Sequence, residues 1–382
     1  GLEKLTDGYD IFLRHLNYYL DLSEKAEEEL KGENAKFWLD IIDADHSNFI
    51  SAIDWSVNNG NTEKGGLVAA AIGEFWITTG NYSTGIRLVE TILQSSPEPD
   101  KFVKAKVLSV IGSIKKYQGD YEEAKKYTEE SLVIRKEIGD KYGIVVSVVN
   151  LGSIAFHQGE YDRAKKYFEE SLAINKEVGD KKVTAASLTN LGNISYYQGD
   201  YEQARKYYRE CLAISKEIGY KKIIAISLNS LGSITFVLEN SEQAMEYYKE
   251  CLAVSKEIGY TYMISSSINN LGYLANDQED YELARKYYFE SMAISKEVGD
   301  KRGIATSMGY LGNTLCTLGD FENAEKYFKE SLSIYEAMGD RKGIADSMHS
   351  LGGVMFSQGD NEKAKTYFEE SLAFKKEFGD RK

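Results

Sequence analysis

From Phe102 to Lys382 the chain repeats one 40-residue pattern seven times without an insertion. Leu-Gly pairs stand at Leu151-Gly152, Leu191-Gly192, Leu231-Gly232, Leu271-Gly272, Leu311-Gly312 and Leu351-Gly352, and Ile111-Gly112 opens the series. Thirteen residues beyond each pair's first member comes an alanine: Ala124, Ala164, Ala204, Ala244, Ala284, Ala324 and Ala364. A fixed period of this length specifies a solenoid, in which each unit is one supersecondary element whose apolar face only its neighbours can cover. Such a stack presents a long inner surface for holding another molecule. It does not normally gather the convergent polar groups that chemistry needs.

Within Lys182–Lys221 the spacing of Leu188, Leu191, Gly192 and Ser195 predicts a first helix over Val183–Tyr197 with those residues on one face. A glycine inside a helix costs about 1 kcal/mol relative to alanine. One in this slot of every repeat therefore implies a close neighbour, expected to be the partner helix. Gln198-Gly199-Asp200 turns the chain, with Gly199 left-handed and Asp200 capping the next helix. Asp120 and Glu123 have the spacing of a capping box. The second helix is expected over Tyr201–Ile218, burying Tyr201, Ala204, Tyr208, Cys211 and Leu212, with Lys and Glu on a solvated face. An aromatic slot recurs as Phe168, Tyr208, Tyr248, Tyr288, Phe328 and Phe368, and Thr128 departs from it. Gly-Asp mostly separates the repeats; Gly219-Tyr220 and Gly259-Tyr260 put tyrosine in its place.

Leu-Gly, Gly-Asp-Tyr, Ala, Tyr/Phe and a small residue, recurring in phase on two antiparallel helices, resemble the tetratricopeptide repeat. The period is 40 rather than the common 34. The resemblance implies an all-α fold: a right-handed superhelical α-solenoid of helix-turn-helix repeats, first helices on the concave side, with an N-terminal helical capping region. Residues 102–382 are the seven regular repeats. Residues 62–98 read as a degenerate repeat, with Ile72-Gly73 and Gly80-Asn81-Tyr82 in the expected spacing, Gly85 in the alanine slot and Trp76 adding bulk. The boundary falls at Ser96–Asp100, which holds the only two prolines, Pro97 and Pro99. Residues 1–61 form an N-terminal helical region, with helices expected over Tyr9–Leu30, Ala35–Asp45 and Asn48–Asn58, and Trp38, Trp55 and Trp76 filling a bundle. His46-Ser47-Asn48-Phe49, Ala52-Ile53-Asp54-Trp55, Phe75-Trp76 and Gly80 resemble the segment that joins the nucleotide-binding part of STAND-type regulatory ATPases to their repeat sensor. No Gly-x-x-x-x-Gly-Lys-Ser/Thr is present to bind nucleotide here. An ATPase domain is therefore expected elsewhere in the full-length chain. The missing initial Met and the end at Gly379-Asp380, a repeat boundary, fit a fragment of a longer protein.

A net charge of −14 argues against nucleic acid or an anionic membrane as the main partner. Three cysteines make no disulfide framework; Cys211 and Cys251 stand where sister repeats carry serine, as packing residues of a reducing, cytoplasmic compartment. His15, His46, His157 and His349 are scattered, and none pairs with Cys or His at metal-ligand spacing. Neither a cofactor nor an enzymatic activity is expected.

The first helices carry a second stripe, rich in Asn and aromatics and uncharged for most of its length. It comprises Asn150; Asn190, Asn193 and Tyr196; Asn229 and Phe236; Asn269, Asn270 and Tyr273; Tyr310 and Asn313; and His349. Asn offers donor and acceptor together and grips peptide amides whatever their sequence. Aromatic rings add apolar area at little entropic loss. In arrays of this family, first-helix Asn residues hold extended peptide; Asn150 and Asn190 match best, and the in-phase series fails at Tyr310 and Ser350. The expected role is a sensor or scaffold arm of a signalling ATPase that captures a protein, a peptide or a small inducer. The alternatives are a free-standing adaptor and a response-regulator phosphatase acting through the N-terminal helices, where Gln94 is the only glutamine.

Overall fold

The computed structural model describes residues 2–30, 34–95, 98–297 and 299–377. Among these the regular structure is entirely α-helical. The chain divides into two compact units, Gly1–Asn190 and Leu191–Lys382. The first contains α1 (Leu2–Glu29), α2 (Ala35–Ala44), α3 (His46–Asn58), α4 (Thr62–Ala71), α5 (Gly73–Thr79) and α6 (Tyr82–Leu93). The hairpins α7 (Lys101–Tyr117) with α8 (Tyr121–Ile138), and α9 (Lys141–His157) with α10 (Tyr161–Val178), come next. The division falls inside α11 (Lys181–Tyr197). The second unit holds α12 (Tyr201–Glu217) and then four hairpins: α13 (Lys221–Val237) with α14 (Ser241–Glu257), α15 (Thr261–Asp277) with α16 (Tyr281–Glu297), α17 (Lys301–Thr317) with α18 (Phe321–Met338), and α19 (Arg341–Ser357) with α20 (Asn361–Glu377). Gly379 and Asp380 lie outside the described residues.

Each hairpin is punctuated as its residues dictate. Gly199 takes φ 80° and the Asp200 carboxylate accepts the Gln203 amide at 3.0 Å, closing the first turn of α12. Asp120 accepts the Glu123 amide in the same way. Asp180 accepts the amides of Lys182 and Val183, so α11 begins two residues before the apolar spacing suggests. Tyr220 and Tyr260 form no side-chain cap on α13 and α15.

The repeated glycine makes room for a ring rather than for the partner helix's backbone. A Cβ on Gly192 would lie 2.6 Å from the Tyr208 ring, and one on Gly272 would lie 2.7 Å from Tyr288. Gly152, Gly232, Gly312 and Gly352 face Phe168, Tyr248, Phe328 and Phe368 in the same way. Where the slot holds Thr128, Gly112 meets the threonine hydroxyl and the Ala124 carbonyl instead. The stripe read for the first helix is buried at Leu188, Leu191, Gly192 and Ser195. On α12, Ala204, Tyr208 and Cys211 are buried, while Tyr201 and Leu212 are only half so.

A polar seam runs beside this apolar one. Ser131 donates to the Ala105 carbonyl at 2.8 Å, Ser331 to Ala305 at 2.9 Å and Ser371 to Ala345 at 2.7 Å; Cys251 reaches Ala225 at 3.1 Å. From the other side, a serine of the next first helix meets the same residue. Ser187 lies 2.7 Å from Ser171, and Ser227 and Ser267 donate to Cys211 and Cys251 at 3.3 and 3.0 Å. Cys251, Ser291 and Ser331 thus each tie a second helix to the first helices on both sides, whereas the buried Ser147 hydroxyl beyond Ser131 finds no partner among the described residues. Both cysteines are buried, and Cys316 is half-buried.

The N-terminal helices pack Leu16, Phe49, Ile53, Ile72, Phe75, Trp76 and Leu88 against Val107, Ile111 and Ile114 of α7. The helix expected to open the degenerate repeat is broken at Ile72 into α4 and α5. Gly85 stands in the alanine slot because Trp76 fills the space: a Cβ there would lie 2.9 Å from the indole. Trp76 is fully buried and its Nε1 donates to His46 Nε2 at 3.1 Å, with the His46 ring edge-on to Phe75. Burial holds His46 below the usual imidazole range. Trp55 is half-buried under Tyr9 and Phe12, and Trp38 is half-buried. Of the expected boundary, Ser96 and Pro97 lie outside the described residues; Pro99 leads into Asp100, which caps α7 by accepting the Val103 amide at 2.8 Å.

Candidate functional site

In the second unit the first helices touch one another: α13 meets α15, α15 meets α17 and α17 meets α19. Among the described residues the second helices α12, α14, α16 and α18 make no comparable contact among themselves. The row of first helices therefore lies on the inside of this unit's bend, and its second stripe is the inner surface. α7 and α9 of the first unit touch in the same manner.

On that surface in the second unit, Phe236, Tyr273 and Tyr310 form a ladder across α13, α15 and α17. Phe236 and Tyr273 meet edge to face at 5.3 Å, Tyr273 and Tyr310 at 6.2 Å, and Tyr310 stacks on Tyr288 at 5.5 Å and 13°. Burial raises the Tyr310 phenol, with further upward contributions from Tyr273, Tyr335, Tyr196 and Tyr262. Tyr273 is 45% exposed. Beside the ladder, Asn270 Nδ2 donates to Asn229 Oδ1 at 2.8 Å. Successive rungs are 37 residues apart and the two asparagines 41, not 40, so the residues that meet come from different slots of the repeat. The in-phase asparagine series ends at Tyr310, which belongs instead to the aromatic ladder.

The remaining stripe residues divide by environment. Asn193 is half-buried and accepts the Tyr208 hydroxyl at 2.6 Å; Tyr196 is half-buried against Tyr201. Asn269 is 4% exposed and accepts from Ser307 at 3.2 Å, so it braces α15 against α17. Asn313 is exposed, and His349 is exposed with its ring 5.2 Å from Phe368. In the first unit, Asn150 on α9 and Asn190 on α11 are half-buried.

The amino-acid pattern did not disclose a lysine on the first-helix stripe of the first unit. Lys116 stands at the end of α7 with its ammonium 4.8 Å from the Tyr117 ring centroid and 3.5 Å from Ser153 Oγ on α9. His157, at the end of α9, stacks on Tyr121 at 6.0 Å and 3°. Burial lowers the Lys116 ammonium, against an attraction to Glu74. Burial also lowers His157, and Lys116 pushes it further the same way. The signal was present: Lys116 occupies the stripe position that is Phe156, Tyr196 and Phe236 in later repeats. Among the described residues no helix is long and apolar enough to cross a membrane.

No curated protein matches the chain in sequence. Among solved structures, it is similar to a Rap protein complexed with competence and sporulation factor, at 12% identity and a TM-score of 0.67 over 98% of this chain and 99% of that one. It is similar to the apo quorum sensor NprR from B. thuringiensis at 15% identity and a TM-score of 0.66, over 98% and 99%. A signal transduction ATPase with numerous domains and a tetratricopeptide repeat sensor, from Pyrococcus horikoshii, matches at 19% identity and a TM-score of 0.64. That match covers 96% of this chain and 53% of the ATPase, so the chain spans about half the length of that protein. At these identities the likeness is one of fold. The family model of the tetratricopeptide repeat matches 105–137 and, in overlapping blocks, 143–217, 183–257, 223–297, 262–337 and 303–377. With its period, its glycine–ring packing and these matches over most of its length, the chain belongs to the tetratricopeptide repeat family.

Proposed function

We propose that this chain captures an extended protein segment along its first helices and serves as the sensor arm of a signal-transduction regulator. The observation that carries the reading is the inner surface of the second unit. There an aromatic ladder, Phe236–Tyr273–Tyr310, runs beside the Asn229–Asn270 amide pair with no charged side chain in either set. Rings supply apolar contact area, and amides satisfy the backbone groups that an extended segment brings. Asn150, Asn190, Asn193 and Tyr196 carry the same chemistry, as do Asn313 and His349. Asn269, buried in the stack, supports the surface rather than touching the occupant.

The solved relatives support this reading, since one is named as complexed with competence and sporulation factor, one as a quorum sensor and one as an ATPase with a repeat sensor. The segment of His46, Phe49, Trp55 and Trp76, folded here around the Trp76–His46 hydrogen bond, is the part that would meet an ATPase domain.

The test is the double variant Asn190→Ala, Asn270→Ala. Removing Asn270 leaves a partly buried Asn229 oxygen without its donor, a cost of about 1–3 kcal/mol, so the thermal midpoint drops modestly. Binding of a partner recovered with the wild-type protein is expected to fall at least tenfold, beyond what the melt explains. Undiminished capture alongside lowered stability would assign the asparagines to the stack alone.

A further inference from the structure

The first helix of the chain turns to solvent a face that none of the described elements covers. α1 packs inward through Leu16, Tyr19, Ala26 and Leu30 against the other N-terminal helices. On its opposite side Ile11, Arg14, Tyr18, Asp21 and Lys25 are all exposed, Ile11 at 58% and Tyr18 at 59%. Their spacing alternates between three and four residues, which is that of a seam between two paired helices. Asp10 is exposed beside it, so the charges along the seam run Asp10, Arg14, Asp21, Lys25: minus, plus, minus, plus. None of the four is ion-paired among the described residues, and Arg14 Nε donates to the Asp10 carbonyl at 3.3 Å rather than to a carboxylate. Solvated faces elsewhere close such pairs within one turn, as in Arg163–Glu160, Arg205–Glu202 and Arg285–Glu282.

We propose that two copies of the chain associate through this seam, α1 against α1 and antiparallel, about a two-fold axis. The order of the charges is its own complement when reversed. In the register that sets Arg14 against Asp21 of the other copy, Asp10 falls against Lys25, and the two-fold axis repeats both pairs. Laid parallel and in register, the same helices would set Arg14 on Arg14 and Asp21 on Asp21. Antiparallel, Tyr18 lies beside the axis. Ile11 arrives at the mouth of a groove of about 650 Å³ lined by Glu24, Lys25, Glu29, Asn34, Phe37 and Trp38, in which Phe37 is 61% exposed. Tyr9 and Phe12, seated on Trp55 and also exposed, extend the apolar surface. That surface supplies the attraction; the exposed ion pairs add little affinity and set direction and register. α1 carries none of the residues assigned to segment capture, so this inference does not rest on that reading.

The test is sedimentation velocity from about 1 to 200 μM, the range in which a small interface associates. The wild type is expected to pass from monomer to dimer across it. Arg14→Asp and Asp21→Arg each set like charges against one another, and each is expected to raise the dissociation constant about tenfold or more. An equimolar mixture of the two variants should recover the dimer as a heterodimer, because each charge then meets its opposite. The double variant Arg14→Asp, Asp21→Arg should recover it as a homodimer. A wild type that stays monomeric throughout would overturn the proposal and leave the face to another protein or an adjoining domain. A dimer that neither single variant weakens would place the contact elsewhere on the chain. Weakening that neither the mixture nor the double variant repairs would overturn the antiparallel register. Both positions are exposed, so unchanged helical melts are expected; should one variant fail to fold, Asp10→Lys and Lys25→Asp supply the same exchange.

Discussion

Gly192 and Tyr208 act as one packing unit although 16 residues separate them. A methyl on Gly192 would overlap the ring, and the ring's hydroxyl is anchored on Asn193 one residue away. Gly192→Ala should therefore cost about 1–3 kcal/mol through overpacking, against a gain of about 1 kcal/mol in helix propensity that would apply if the space were empty. In a Tyr208→Ala background, where the ring is gone, the same substitution should be neutral or stabilising. Urea melts of the two single variants and the double variant would show a coupling of about 1–3 kcal/mol. Additive effects would mean that the glycine answers to something other than the ring. The periodic glycine was legible in the sequence, and so was the need for a reason. That the reason is an aromatic side chain was not, because both residues recur every 40 positions and periodicity alone does not say which slots touch.

At the scale of the helix and its turn, position 199 of the pattern is glycine in most repeats, but Glu239 and Glu279 occupy it with φ 63°. A side chain in the left-handed region costs about 1–2 kcal/mol. Glycine there would give back about 0.4–1 kcal/mol through a freer unfolded chain. Glu239→Gly and Glu279→Gly should each raise stability by about 0.5–1 kcal/mol, seen as a higher urea midpoint at unchanged slope. A drop would show that these glutamates hold the turn by contacts worth more than the strain. Helix order and caps were set by Gly, Asp and Asn as their positions imply. The inner stripe was legible only in part. Aligning repeats in phase pairs Asn190 with Asn270 and leaves Tyr310 an exception, whereas the packed helices bring Phe236, Tyr273 and Tyr310, from different slots, together. Which slots of neighbouring helices face each other is decided by packing, not by the repeat length.

For the molecule as a whole, acid should act unevenly. His46 and His157 both lie in the first unit, and burial holds both below their ordinary 6.5. The unfolded chain then takes up protons more readily than the folded one, so stability is fullest above 6.5 and falls as the pH drops through the lowered values. Hydrogen exchange at about pH 5.5 against about 7.5, either side of the free imidazole range and corrected for intrinsic rates, should show α3, α5 and α9 losing protection more than α17 and α19. Equal loss in both units would remove the histidines as the cause. The amino-acid sequence by itself determined the all-α repeat architecture, the phase of its turns and the membership of its apolar seam, because those depend on local periodicity and on neighbours a fixed distance along the chain. Only the tertiary structure decided that the Trp76 indole rests on His46, that the aromatic ladder steps by 37 residues, and that Lys116 reaches Ser153 without an ion-paired carboxylate among the described residues. Each of these depends on how helices cross and on which side chains then share a space, and no repeat spacing encodes that.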